Sequence, residues 1–366
     1  MTVSIRVATS PGEARIAVVD GNRLLDFSLS RPGAPDGVGD IHRGRIIAHV
    51  PAMAGAFVAL ADAEGFLPDS EGAKGLTAGS ILTVRITRAA QGNKGPRLTT
   101  RDCDPAAGGP VGLIRHGPDP LARLAARHPG AFILVDDAGV AAGLQPAGRI
   151  SVTPSVWDDN VAEAIDALSH PVVVLPGGAS LSIWPTPALI AIDVDAGGTL
   201  AGQGGARSRH EALNRAVVPA LAEQIRLRNL SGGIVVDLAG LSPRRRAALG
   251  PDFTAALTGD PLRPRFLGFT ALGLAEIVRP RVHPPLHELL AGPLAAGLMA
   301  LRAVMAAFGQ DPRGMPAIRA HPAVVSALQG DAAALPDLAR RTGRAVTLRS
   351  DPSLPATAWA LEKDHG

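Results

Sequence analysis

Ala188-Leu-Ile-Ala-Ile-Asp-Val-Asp195 and Gly233-Ile-Val-Val-Asp237 are two short apolar runs that end in carboxylates, with one long helical stretch between them. Side chains alternate along a strand, so Asp193 and Asp195 project from one face. The run 210–230 sets Leu213, Val217, Leu221 and Ile225 at helical spacing. Strand, helix and strand predict a βαβ crossover with parallel strands. Their C-terminal ends then share one sheet edge, where ligand crevices form in open α/β sheets. Carboxylates gathered there without a neighbouring Lys are hard oxygen ligands suited to magnesium. One Asp after a strand ordinarily just starts a turn; Asp193, Asp195 and Asp237 on one edge point to a metal site.

The chain has 366 residues, enough for two or three domains with their own cores. Hydrophobic residues make up 46% and charged residues 19%, which excludes wholesale disorder. The basic residues are nearly all Arg, with Lys only at 74, 94 and 363, and Tyr is absent. A net charge of +3 permits nucleic-acid binding without demanding it. One cysteine, Cys103, excludes an intramolecular disulfide and a cysteine-clustered zinc site, and fits a reducing cytoplasm. The N-terminus alternates apolar and polar residues and turns at Pro11-Gly12, a hairpin signal rather than a signal peptide. The apolar run 289–301 is too short to span a bilayer, so no membrane association is expected.

Strands are predicted at Ser4–Ala8, Glu13–Asp20 and Arg23–Ser28, with a tight turn at Asp20-Gly21-Asn22. After the Pro/Gly stretch 31–37, short strands at 41–50, 56–60, 65–67, 80–88 and 97–100 suggest a small barrel of the OB type. Phe57 and Phe66 on one barrel face would stack bases, and Arg43, Arg45, Lys94 and Arg97 would track phosphates. The competing reading makes both Phe core plugs. From about residue 112 helices alternate with strands: helices at 120–128 and 159–168, strands at 131–136 and 171–175. The final part, from about 291, carries an amphipathic helix from Pro293 to Gly309, a helix at 331–342 and a strand at 345–349.

Several of these stretches resemble the ribonuclease E/G family: 183–195, the Gln224-Ile-Arg-Leu-Arg-Asn-Leu230 segment, 233–237 and Leu272-Gly-Leu-Ala-Glu-Ile-Val-Arg-Pro-Arg281. In the barrel the matching segments are 39–46, 56–58, 65–68 and 92–100. The resemblance implies a multidomain α/β fold: an OB-type RNA-binding barrel (39–101) inserted in a ribonuclease H-like domain (1–38 and 102–179). A DNase I-like catalytic domain (180–288) and a small C-terminal α/β domain (289–366) would follow. It implies that Asp193 and Asp237 hold catalytic Mg2+, that Asp195 assists where the family usually has Asn, and that Arg226 and Arg228 belong to the RNA-binding surface.

This sequence departs from the family pattern. The connector 101–111 leaves no room for the family's sensor of a 5′-monophosphate, and the cysteine pair of its zinc-linked dimer is missing, so any homodimer would not depend on zinc. His283 and His287 read as surface residues rather than ligands. Gly240 stands where a second acidic residue is common, and Asn214 alone keeps the polar pattern of the preceding helix. The expected function is magnesium-dependent endoribonuclease cleavage of single-stranded RNA to 5′-phosphate and 3′-hydroxyl ends, in RNA processing or turnover. The alternative is a non-catalytic RNA-binding protein derived from such a nuclease. A small-molecule enzyme using the glycines of 196–206 as a phosphate loop is disfavoured, because their spacing matches neither a P-loop nor a dinucleotide fingerprint.

Overall fold

The computed structural model describes residues 3–92, 94–104, 109–144, 149–175, 178–197, 206–312 and 314–363. Two compact units emerge. One comprises Met1–Ala34, Leu124–Pro280 and Pro285–Gly366, and the other Pro35–Arg123 with Arg281–Pro284. The barrel segment therefore interrupts a longer fold in sequence.

In the smaller unit, strands Ile41–Val50, Gly55–Ala59, Glu64–Pro68, Arg97–Thr99 and Ile81–Arg88 pair in that spatial order, and the last returns to the first. The result is a closed five-stranded barrel, with Gly112–Arg115 added alongside the first strand. Ile46, Val58, Leu67, Val84 and Leu98 fill it, each no more than 1% exposed. Gly65 is required for that filling, because a Cβ there would stand 2.7 Å from the Leu98 side chain. His283 Nδ1 donates to Asp36 Oδ2 at 2.6 Å, an ion-pair role rather than a metal-ligand one. Residues 198–205 of the Gly-rich stretch beyond Asp195 and the connector residues 105–108 lie outside the described residues.

The larger unit holds three sheets. The first orders Ile150–Val152, Phe132–Val135, Val3–Ser10, Glu13–Asp20 and Arg23–Ser30. Its first three strands are parallel and its last three antiparallel, the hairpins predicted from the N-terminal alternation. Its core face packs Ala17, Val19, Phe27 and Leu29 against Val161 and Ile165 of helix Asp159–Ala167. Asp158 caps that helix, accepting the Val161 N–H at 3.0 Å.

The second sheet carries the site. Its order is Val172–Val174, Ser180–Pro185, Ile190–Asp195, Gly232–Asp237, Ala275–Arg279, Arg265–Phe269. Only Ile190–Asp195 and Gly232–Asp237 run parallel, joined by helix Ala206–Leu227; this is the crossover read from the sequence. The alternate residues Ile190, Ile192, Val194, Ile234 and Val236 bury against Val217, Val218, Leu221 and Ile225 of that helix. Val172–Val174, expected at the end of the 102–179 segment, is instead this sheet's edge strand, held by antiparallel pairing to Ser180–Pro185.

The third sheet, Leu348–Ser350, Ala317–Ala320 and Trp359–Glu362, packs on helices Gly292–Gln310, Pro322–Gly330 and Ala334–Thr342. Gly292–Gln310 has 19 residues and, by length and composition alone, is apolar enough to cross a membrane. Its Leu298, Leu301 and Val304 are fully buried among Ile318, Val324 and Leu328.

Candidate active site

The helix covers one face of the second sheet and leaves the other open, so the residues that alternate with the buried ones meet solvent. Asp193 and Asp237 are direct register partners on the two parallel strands, and both are exposed. Neighbouring strands lie about 4.8 Å apart, so the two carboxylates face one small volume. No Lys or Arg has an ion pair with either among the described residues. Asp195 points to the same side, one row further along, and its Oδ1 accepts the Gly197 N–H at 2.9 Å. It thus caps the turn that ends its strand, the ordinary role of such an Asp. Glu276 on the next strand pairs with Val235, diagonal to Asp237, and is half-buried on the same face. The sequence reading missed it: alternation within Ala275–Arg279 separates Glu276 from buried Ala275 and Ile277, but only strand pairing brings it to the carboxylate face. Among the described residues no group of three or more His, Cys, Asp or Glu side chains is close enough to hold an ion unaided.

Asn214 fixes the loop that follows Asp237. It is fully buried. Its Nδ2 donates to the carbonyls of His210 at 2.7 Å and Ala239 at 2.8 Å, and its Oδ1 accepts the Ala239 N–H at 3.2 Å. Gly240 follows with φ +55°, and a Cβ there would stand 2.8 Å from the His210 ring. The imidazole therefore fills the room that an acidic side chain at 240 would need. Beyond it lies Pro243–Ala247 with three arginines. Arg245 pairs with Glu211 at 3.5 Å, and the Arg246 guanidinium lies where a Cβ at Gly273 would be, whereas Arg244 is exposed.

The arginines of the Arg226-Leu-Arg228 segment turn inward. Arg228 is 6% exposed, and its nitrogens donate to Gln224 Oε1 and to the carbonyls of His170 and Ala167 at 2.8–2.9 Å. Burial lowers its pKa to about 10. Arg226 donates to the Leu25 carbonyl at 3.0 Å. Both therefore tie the helix end to neighbouring segments, and the expected RNA contact gives way to a structural role. Arg279 likewise is buried, bonding Asp260 at 2.7 Å, Asn229 Oδ1 at 2.7 Å and the Leu230 carbonyl at 3.1 Å. These motifs brace the entry to strand Gly232–Asp237.

On the barrel, Phe57 and Phe66 are cross-strand partners on its outer face, half-buried and 5.5 Å apart edge to face. They lie outside the barrel core, and Arg97 is the next partner along the same row. Arg97, Lys94 and Arg45 are exposed, while Arg43 is half-buried with a bond to the Pro110 carbonyl at 3.3 Å.

The protein is thus an α/β protein with an inserted β-barrel and an acidic pair on an open sheet face. Residues 151–282 match the ribonuclease E/G family. Ribonuclease E of a Nostoc species is 37% identical over a region covering 34% of this chain and 18% of that relative. Ribonuclease E of Escherichia coli is 24% identical over 77% of this chain and 37% of its own length. Ribonuclease G of Escherichia coli is 22% identical over 79% of this chain and 82% of its own. The chain is a relative of the ribonuclease E/G family, and it spans 18–42% of the length of the four ribonuclease E proteins compared.

Proposed function

We propose that this protein is a magnesium-dependent endoribonuclease that cuts single-stranded RNA to leave 5′-phosphate and 3′-hydroxyl ends. The observation that carries this reading is the register pair Asp193–Asp237, two exposed carboxylates side by side on an open sheet face. The donor set fits Mg2+, which is commonly held by one or two carboxylates, with waters and substrate phosphate oxygens completing its shell. Once bound, the ion supplies an activated water and offsets charge on the scissile phosphate. Asp193 and Asp237 hold it, and Asp195 orients the water from the adjoining row. Asn214 sets the position of Asp237 through Ala239. Phe57 and Phe66 stack bases, and Arg43, Arg45, Lys94 and Arg97 track phosphates. We read the N-terminal sheet as ribonuclease H-like, the second sheet as DNase I-like and the site of action as the cytoplasm; a homodimer would form without zinc.

A second reading, an RNA-binding protein that no longer cuts, draws on Gly240 and on the turn-capping bond of Asp195. One experiment separates the two. End-labelled single-stranded RNA is incubated with and without magnesium, for wild type beside Asp193→Asn. Magnesium-dependent cleavage by wild type alone supports the nuclease; binding without cleavage in every arm supports the second reading.

A further inference from the structure

Trp184 stands apart from the rest of the chain's scarce aromatics. It is 55% exposed on strand Ser180–Pro185, whereas Trp157 and Trp359 are partly buried. Ser182, two residues earlier, is the register partner of Asp193, and Trp184 itself partners Ala191. Ala191 in turn partners Val235. Alternation therefore puts Trp184, Ala191 and Val235 in one row of the open face, immediately beside the row Ser182–Asp193–Asp237. Diagonal neighbours of this kind lie about 7–8 Å apart, somewhat less between Cβ atoms. Trp184, Ala191 and Val235 are apolar, Glu276 continues the row beyond Val235, and the small Ala191 stands between Trp184 and Val235.

We infer that Trp184 is a base-stacking subsite of the cleavage site, receiving the nucleobase next to the scissile phosphate. This rests on the nuclease reading above and adds to it a specificity-determining contact on the catalytic sheet itself, separate from the barrel. A polynucleotide has the complementary chemistry, with a phosphate beside the carboxylates and a flat apolar base one row away. A protein partner covering the same patch would press against exposed Asp193 and Asp237, and burying unpaired carboxylates is costly. Stacking tolerates every base and strengthens with the size of the π-surface, so a purine should be preferred over a pyrimidine, and any base over none.

The test uses the full chain in two arms. In the first, a short single-stranded oligoribonucleotide is titrated into Asp193→Asn while tryptophan fluorescence is followed; quenching is expected, and Trp184→Phe in the same background should abolish it. In the second, wild type, Trp184→Phe and Trp184→Ala are compared on one RNA and on versions carrying an abasic residue on either side of the cut. Trp184→Ala should lower kcat/KM roughly five- to hundredfold on the base-bearing RNA, and Trp184→Phe should recover most of it. On the RNA abasic at the stacking position the three proteins should converge. Equal losses on base-bearing and abasic RNA overturn the subsite, as does absence of quenching. A change of oligomeric state by sedimentation, with RNA kinetics unaltered, identifies a protein contact and also overturns it. Should wild type bind RNA with Trp184 quenching yet cut nothing, the nuclease reading falls while the stacking contact stands.

Discussion

Replacing Asn214 by Ala tests whether the acidic pair is positioned by the helix behind it. The substitution deletes three hydrogen bonds from a fully buried amide, two of them to Ala239, two residues beyond Asp237. At a net value of about 1 kcal/mol each, their loss costs about 3 kcal/mol. The higher helix propensity of Ala returns up to about 0.7 kcal/mol, leaving a loss of about 2–2.5 kcal/mol. Urea unfolding of the full chain should show a lower midpoint with an unchanged slope. Freed from its clamp, the Leu238–Gly240 loop lets Asp237 wander from Asp193. The magnesium concentration for half-maximal cleavage should then rise about 10- to 100-fold, as for other groups that orient a metal ligand. A variant within about 0.5 kcal/mol of wild type, or one with the expected stability loss but unaltered magnesium dependence, refutes the positioning role.

Asp193→Asn and Asp237→Asn should each abolish cleavage while leaving RNA binding and folding intact, since both side chains are exposed and neither has an ion pair among the described residues; near-wild-type cleavage by either sinks the assignment. Phe57→Ala and Phe66→Ala should weaken RNA binding by roughly 1–3 kcal/mol per base stacked without shifting the magnesium dependence, as measured by fluorescence anisotropy. His42 lies 9% exposed in the barrel, where burial lowers its pKa from 6.5 against a partly opposing pull from Asp40. The unfolded chain therefore takes up the proton first. Its stabilising contribution is complete above pH 6.5 and declines as pH falls through that value, so urea midpoints at pH 7.5 and 5.5 should differ less for His42→Gln than for wild type. Cleavage should be indifferent to the 5′ end, with similar rates for 5′-monophosphate, 5′-triphosphate, 5′-hydroxyl and circular forms of one RNA; strong preference for the monophosphate would reveal a sensor elsewhere in the chain.

Local periodicity and turn chemistry made much of this protein legible beforehand. The period-2 alternation of Val3–Ser10 through Arg23–Ser30, the barrel strands and the βαβ unit around Asp193 and Asp237 all appear where the pattern puts them, because each depends on neighbours within a few residues. That Phe57 and Phe66 share a face was legible for the same reason, but that the face is the outer one was not. The roles of charged side chains were not. Arg226 and Arg228 carry the chain's most family-like motif, yet their donors meet carbonyls of Leu25, Ala167 and His170, far away in sequence. Asp195 and Gly240 show the same limit: a turn-capping bond and a histidine ring from another element decide what each position can do. Strand register decided the rest. Only the pairing of six strands sets Trp184 and Glu276 on the carboxylate face, because which residues face each other across a sheet depends on backbone bonds between segments that no short-range pattern specifies.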